Sequence, residues 1–119
     1  MLEHISVPVT NFSKSKKFYV AALKPLGYKL TMDYSPEAAG FKEGGHTSFW
    51  IVRKKGKITT THLAFLAKNR KAVQAFHKAA LKAGGKDNGG PGLRDYSAVY
   101  YAAFVLDPDG TNIEAVVFK

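Results

Sequence analysis

The feature that most restricts what this chain can fold into is that its sequence nearly repeats itself. Displaced by 58 residues, His4 falls on His62, Asn11 on Asn69, Phe18 on Phe76 and Gly27 on Gly85, and Ala21-Ala22-Leu23-Lys24 falls on Ala79-Ala80-Leu81-Lys82. Eight of the 24 positions from His4 to Gly27 are identical, where unrelated sequence gives about one or two. Beyond a glycine-rich stretch in the second half the displacement becomes 64. Ala38-Ala39 then meets Ala102-Ala103, Thr47 meets Thr111, and Trp50 meets Glu114. The change of register predicts an insertion near residues 87–97. A chain of 119 residues is expected to form one domain, here 1–119, with repeat halves of about 1–56 and 57–119.

Each half should read strand, helix, then three strands. In the first, residues 2–9 alternate as a strand, with Ile5, Val7 and Val9 on one face and His4, Ser6 and Pro8 on the other. Asn11 is a helix cap, and Phe12, Phe18, Tyr19, Ala22 and Leu23 form the apolar stripe of a helix of about 12 residues that Pro25 and Gly27 end. Strands follow near 28–34, 38–42 and 47–53. In the second half 60–67 is a strand carrying His62, Asn69 a cap, and 71–83 a helix. Residues 87–95, with Gly89-Gly90-Pro91-Gly92, read as a loop, and 100–106 and 111–118 as strands. Asp107-Pro108-Asp109-Gly110 between them is a turn signal, because proline presets φ, the aspartates bond their own backbone and glycine takes the left-handed position.

The last strand sets a chemical problem. Ile113, Ala115 and Val117 make one face, and Asn112, Glu114 and Val116 the other. An unpartnered carboxylate in so apolar a strand is costly to bury. Two strand–helix modules related by a pseudo-dyad can curl into a cup with helices on the convex side. The hollow then receives His4, Ser6, Trp50, His62, Ala64, Asn112 and Glu114. Equivalent positions of the two halves thus offer Glu114 two imidazoles.

The net charge of +9 raises a nucleic-acid reading. The lysines are scattered, however, and the one dense run, Arg53-Lys54-Lys55-Gly56-Lys57, has the look of a hairpin loop. Solvated surface is the expectation, with a general pull on anionic small molecules and no nucleic-acid partner. There is no cysteine, which excludes disulfides and thiolate metal sites and suits a reducing cytoplasm. Met1-Leu2-Glu3-His4 lacks a signal-peptide pattern, and no apolar run reaches membrane-spanning length.

The segments His4-Ile5-Ser6-Val7-Pro8-Val9 with 15–26, His62-Leu63-Ala64-Phe65, and Asp107 through Glu114 together resemble the vicinal-oxygen-chelate superfamily. That superfamily includes glyoxalase I, extradiol dioxygenases, and the fosfomycin- and bleomycin-resistance proteins. The resemblance implies an α+β fold of two tandem βαβββ modules forming a curved, cup-like mixed sheet. It also implies one divalent metal ion held by His4, His62 and Glu114, and a homodimer. Glyoxalase I adds a fourth ligand, normally a glutamate, where Trp50 stands here. The extradiol and fosfomycin-resistance enzymes place a tyrosine ten residues before the glutamate, where Phe104 stands.

Two imidazoles and a carboxylate on one face suit iron(II), and equally manganese, nickel, cobalt or zinc. Such an ion would bind adjacent oxygens of a small substrate as a Lewis acid, in a lyase, isomerase or dioxygenase. Ser6, Trp50, Tyr100, Phe104 and Asn112 are expected to line the pocket. Trp50 would be an apolar wall; Asn112, Ser6 and Ser48 would be hydrogen-bonding groups that cannot take a proton near neutrality. Arg94 is a solvated loop residue on the plainer reading and an anion contact on the other. His46 and His77 read as structural or surface, and Asp107 and Asp109 as turn residues. With no evident general base, the alternative is a non-catalytic binder of an antibiotic or aromatic compound, of the bleomycin-resistance type.

Overall fold

The computed structural model describes all 119 residues. Its elements follow the repeat: β1 (Ile5–Val9), α1 (Phe12–Leu23) closed by a 3-10 turn at Lys24–Leu26, β2 (Lys29–Tyr34), β3 (Ala38–Glu43) and β4 (His46–Arg53), then β5 (His62–Leu66), α2 (Arg70–Lys82), β6 (Lys86–Leu93), β7 (Tyr100–Leu106) and β8 (Asn112–Phe118). The strands form two four-stranded sheets, ordered β1-β4-β3-β2 and β5-β8-β7-β6. In each, the first strand runs parallel to the fourth and the remaining pairs are antiparallel. The two halves are therefore the same βαβββ module. The cup is open: no strand of one sheet is hydrogen-bonded to the other.

Register confirms the repeat at residue level. Ser6 pairs with Trp50 in the first sheet and Ala64 with Glu114 in the second, so Trp50 and Glu114 do occupy equivalent positions. Both helices are capped as their sequences predict, Asn11 accepting from the Lys14 amide at 3.2 Å and Asn69 from that of Ala72 at 2.8 Å.

The expected loop at 87–95 is instead largely β6. A Gly-Pro run can be a strand where it lies at a sheet edge, since proline's missing N–H then breaks no ladder. β6 is such an edge, paired only with β7, and its register slips twice, between Asp87 and Gly89 and between Gly89 and Gly92. The predicted insertion is absorbed there and in the turn that follows: β6 has eight residues where β2 has six.

One apolar core joins the modules. It draws Val7, Val9, Phe49 and Ile51 from the first sheet and Phe65, Val105, Ile113 and Val117 from the second, with Phe18, Tyr19 and Phe76 from the helices. The Phe49 and Phe65 rings cross the module boundary edge to face at 5.3 Å, a preferred aromatic geometry. The Asp107–Gly110 turn also ties the halves together. Asp107 accepts from the Asp109 and Thr111 amides, as a turn aspartate should, but also from the buried Tyr19 hydroxyl of α1. Asp109 accepts from the Thr10 amide at 3.0 Å and the Thr10 hydroxyl. Core-facing residues alternate with those of the open sheet faces, and these faces carry the predicted site.

Candidate functional site

The open face of the second sheet is built from β5, β7 and β8. Alternation puts His62 and Ala64 of β5, Tyr100 and Phe104 of β7, and Asn112 and Glu114 of β8 on that side, while Ile113, Ala115 and Val117 enter the core. Glu114 is 2% exposed although it faces away from the core. His62 Nε2 lies 2.9 Å from Glu114 Oε1, and the Tyr100 hydroxyl donates to Oε2 at 2.5 Å. The carboxylate does find partners, one imidazole and one phenol. The tyrosine was predicted only as lining; its inward parity was the signal that it could reach position 114. The phenol missing at Phe104 thus reaches the carboxylate from position 100. The hydrogen bond to Glu114, helped by partial burial, pushes the Tyr100 pKa up to about 12, so the phenol remains a donor across the physiological range.

The second nitrogen of His62 decides what the pair can hold. Nδ1 lies 3.0 Å from the Asn112 carbonyl, which can only accept, so Nδ1 carries a proton. In the neutral ring Nε2 then presents a lone pair to Glu114 Oε1. Two electron-rich atoms at 2.9 Å need a proton or a cation between them. An imidazole fixed by a backbone carbonyl, with its other nitrogen beside a carboxylate, is also how proteins orient metal-ligating histidines. The donor set fits a divalent ion as two of its ligands.

His4 does not join this pair within one chain. Its Nδ1 lies 2.5 Å from Glu3 Oε1, and His46 Nε2 lies 2.7 Å from the Glu3 carbonyl. No group of three His, Asp or Glu side chains in the chain is close enough to hold a metal ion. His4 borders both a cleft of about 240 Å³ between the modules, with Tyr28, Ser48 and Ala64, and an open basin with Lys42, His46, Thr47 and Trp50. The common point expected for His4, His62 and Glu114 is therefore not formed by one copy of the protein. His46, read as structural or surface, is the first residue of β4 and hydrogen-bonded to the segment carrying His4.

The open face of the first sheet is aromatic. Trp50 and Tyr34 lie parallel, 4° between planes and 6.3 Å between centroids. The indole rests on Gly40, where a Cβ would come within 2.9 Å of it. Ser6 is exposed beside it in the pairing β1–β4. Ser48 is displaced from the expected set. A bulge between Phe41 and Lys42 shifts the alternation, so Thr47 shares the basin with Trp50 and Ser48 turns toward Tyr28. On the second sheet Asn112 accepts from the Asn88 side chain at 3.2 Å, and Arg94 lies over the Phe104 ring at 5.3 Å. Ser6 and Trp50 are on the open face of the first sheet and Tyr100, Phe104 and Asn112 on that of the second, so the predicted lining is divided between two faces.

The family model described as Glyoxalase/Bleomycin resistance protein/Dioxygenase superfamily matches residues 1–115. The chain belongs to this superfamily. Among solved structures, a glyoxalase/bleomycin resistance protein from Albidiferax ferrireducens T118 is 32% identical, with 97% of this chain and 96% of that one covered and a TM-score of 0.80. A glyoxalase/bleomycin resistance protein/dioxygenase family enzyme from Burkholderia phytofirmans PsJN is 18% identical over 99% and 98% of the chains, with a TM-score of 0.74. Lactoylglutathione lyase from Agrobacterium tumefaciens is 12% identical over 98% and 92%, with a TM-score of 0.72. These last two share the fold. None of the curated proteins searched matches the sequence. No helix of this glyoxalase-superfamily chain is long and apolar enough to cross a membrane.

Proposed function

We propose that the protein is a divalent-metal-dependent enzyme of the cytoplasm acting on a small oxygenated molecule, of lyase, isomerase or dioxygenase type. Its site would be completed across a homodimer: His62 and Glu114 from one copy and His4 from the other would hold the ion. The observation that carries the reading is the placement of His62, whose Nδ1 is set by the Asn112 carbonyl and whose Nε2 lies 2.9 Å from the buried Glu114 carboxylate. The bound ion would supply Lewis-acid polarisation of a substrate oxygen. The chain's own part is to fix the donors. The Asn112 carbonyl orients the imidazole, and Tyr100 holds the second carboxylate oxygen so that only Oε1 is presented. Two open, unclosed sheets of one polypeptide are what a second copy would bring together, and His4 is half exposed at the end of one of them.

The test is elemental analysis after chelator-free purification, followed by complementation. One Fe, Mn, Ni, Co or Zn per chain is expected, and His62→Ala or Glu114→Gln should weaken binding about 100-fold, or ~2.7 kcal/mol. His4→Ala and His62→Ala homodimers should each lose the ion. Mixed, they should regain one site per hybrid dimer, because one interface still pairs an intact His4 with an intact His62. No stoichiometric metal, or no recovery on mixing, would defeat this reading.

A second reading is favoured by one observation. Trp50, stacked on Tyr34, stands where the equivalent module carries Glu114, so at that position the first sheet offers a flat apolar surface in place of a carboxylate. A non-catalytic binder of an antibiotic or aromatic compound would use that surface. Trp50 is the only tryptophan, so its quenching reports binding directly. Equal quenching with and without EDTA, without turnover, selects the binder; metal-dependent turnover selects the enzyme.

A further inference from the structure

The glycine-rich β6 strand is shaped to hold one side chain. Arg94, just past its end, folds back along it: Nη1 donates to the Gly92 carbonyl at 3.0 Å and Nη2 to the Gly90 carbonyl at 2.7 Å. A Cβ at Gly89 would come within 3.1 Å of Nη2, and one at Gly92 within 3.3 Å of Nη1. Side chains at those two positions would press on the guanidinium, which would have to give by a few tenths of an ångström. On its other side the guanidinium lies over the Phe104 ring, 5.3 Å from the centroid. A cation so placed is attracted by the ring quadrupole.

Three further facts give this arrangement a direction. Arg94 is half buried, yet no carboxylate lies within ion-pair distance of it. Of the five guanidinium N–H donors, its only side-chain hydrogen bonds use the two on the carbonyls. And Phe104 is cross-strand neighbour to Glu114 and lies beside His62, with ring centroids 6.1 Å apart and planes 26° apart. Phe104 is therefore flanked by the His62 imidazole of the His62–Glu114 pair on one side and an unpaired guanidinium on the other.

We infer that Arg94 is the specificity-determining residue of this face, and that it selects ligands carrying a planar oxyanion one ring's width from the groups presented to His62 and Glu114. The ligand class is a small, flat organic acid: its carboxylate meets the Arg94 fork, its apolar body covers Phe104, and its remaining oxygens reach the histidine end. A guanidinium fork matches a carboxylate in geometry as well as charge. Held in advance by Gly90 and Gly92, it loses little freedom when it binds. This rests on the open face of the second sheet being the binding face, as proposed above.

Benzoate and protocatechuate, with their neutral counterparts benzamide and 3,4-dihydroxybenzamide, are suitable probes. Affinity is measured for the unsubstituted protein, Arg94→Gln, Arg94→Lys and, as a control for the general positive charge, Arg70→Gln. Each acid should bind at least about tenfold more tightly than its amide, or ~1.4 kcal/mol. That preference should vanish in Arg94→Gln, shrink in Arg94→Lys and persist in Arg70→Gln, the amides binding alike to all four. In the unsubstituted protein the Arg94 Nε–Hε NMR signal should move with the acids and not the amides, a readout that needs no variant to fold. Absence of the preference, its survival in Arg94→Gln, or its loss in Arg70→Gln would overturn the inference. Metal affinity measured alongside keeps the two proposals apart: Arg94→Gln should leave it unchanged, and loss of metal binding in His62→Ala bears only on the metal reading.

Discussion

The two modules share topology, register and eight identical residues between His4–Gly27 and His62–Gly85, yet their equivalent positions do different work. The helix position occupied by Tyr19 in α1 is His77 in α2. Tyr19 is buried and reaches across to Asp107 of the other module, whereas His77 bonds the exposed Asp87 at the start of its own module's edge strand, at 3.0 Å. On the open faces Trp50 of one module stands where the other has Glu114. Duplication fixed the backbone and left each module's surface free to specialise, one toward flat apolar contact and the other toward charge. The same residue type can also serve different ends. Gly27 and Gly85 match in the repeat, but Gly27 is in the left-handed region at φ 89°, while in the second module Gly84, at φ 104°, takes that role.

Substitution at the two matched glycines should separate their roles most sharply. Gly85 has no backbone need to be glycine, but a Cβ there would sit 2.5 Å from Val105 Cγ1 and 2.6 Å from Phe18 Cε1. Gly85→Ala should therefore cost about 3 kcal/mol through overpacking of a dense core. Gly27→Ala meets nothing closer than 3.4 Å and should cost about 1 kcal/mol, the strain of a left-handed alanine. Urea denaturation measures both. Equal costs would mean that the repeat governs these positions and that their surroundings do not.

Next in size is Tyr19→Phe, which leaves the ring and removes the hydroxyl. Asp107 keeps its two backbone donors on Oδ1, but Oδ2 loses its only one. An unsatisfied buried carboxylate oxygen costs about 2 kcal/mol. Burial already pushes the Asp107 carboxyl above its ordinary value, and loss of the phenol should raise it further. A carbon-detected carboxyl titration reads that shift. Because this bond joins the modules, the loss should appear as a lower midpoint of one shared transition, without a separate unfolding of either half.

How far the sequence foretold all this can be followed residue by residue. The repeat, the caps at Asn11 and Asn69, and the alternation in β7 and β8 are local and periodic, so the order of elements and the inward face of Glu114 could be read directly. β6 could not, because Gly89-Gly90-Pro91-Gly92 has loop composition, and what accompanies it as an edge strand is tertiary: its pairing with β7 and the Arg94 guanidinium on the Gly90 and Gly92 carbonyls. Ser48 was misplaced by a bulge, which shifts which side chains face outward and leaves no mark in hydrophobic periodicity. The Tyr19–Asp107 bond joins residues 88 positions apart, and a turn signature accounts for Asp107 locally without revealing a distant partner. His4 and His62 matched in sequence, but matching positions in a pseudo-symmetric pair need not meet in one copy.

The smallest expected effect comes from His77, the counterpart of Tyr19, whose partner Asp87 is exposed. The Asp87 carboxylate accepts from the Gly89 amide and pairs with His77, and the hydrogen bond from His77 is the main reason it is held below the usual aspartate range. A depressed folded-state value means that Asp87 favours the folded state above the ordinary carboxyl value. The contribution is lost as pH falls through the lower, folded value. His77→Gln should return the Asp87 titration toward its ordinary position and flatten the acid limb of the stability curve slightly. At neutral pH it should change stability far less than Tyr19→Phe does, because the Asp87 carboxylate is exposed and its pairing is screened by solvent. Tyr19→Phe tests the same helix position in the other module, where the partner is buried, so the two variants should differ several-fold. If His77→Gln proves as costly as Tyr19→Phe, burial is not what distinguishes the modules at this position, and the division between a structural first helix and a surface-facing second one fails.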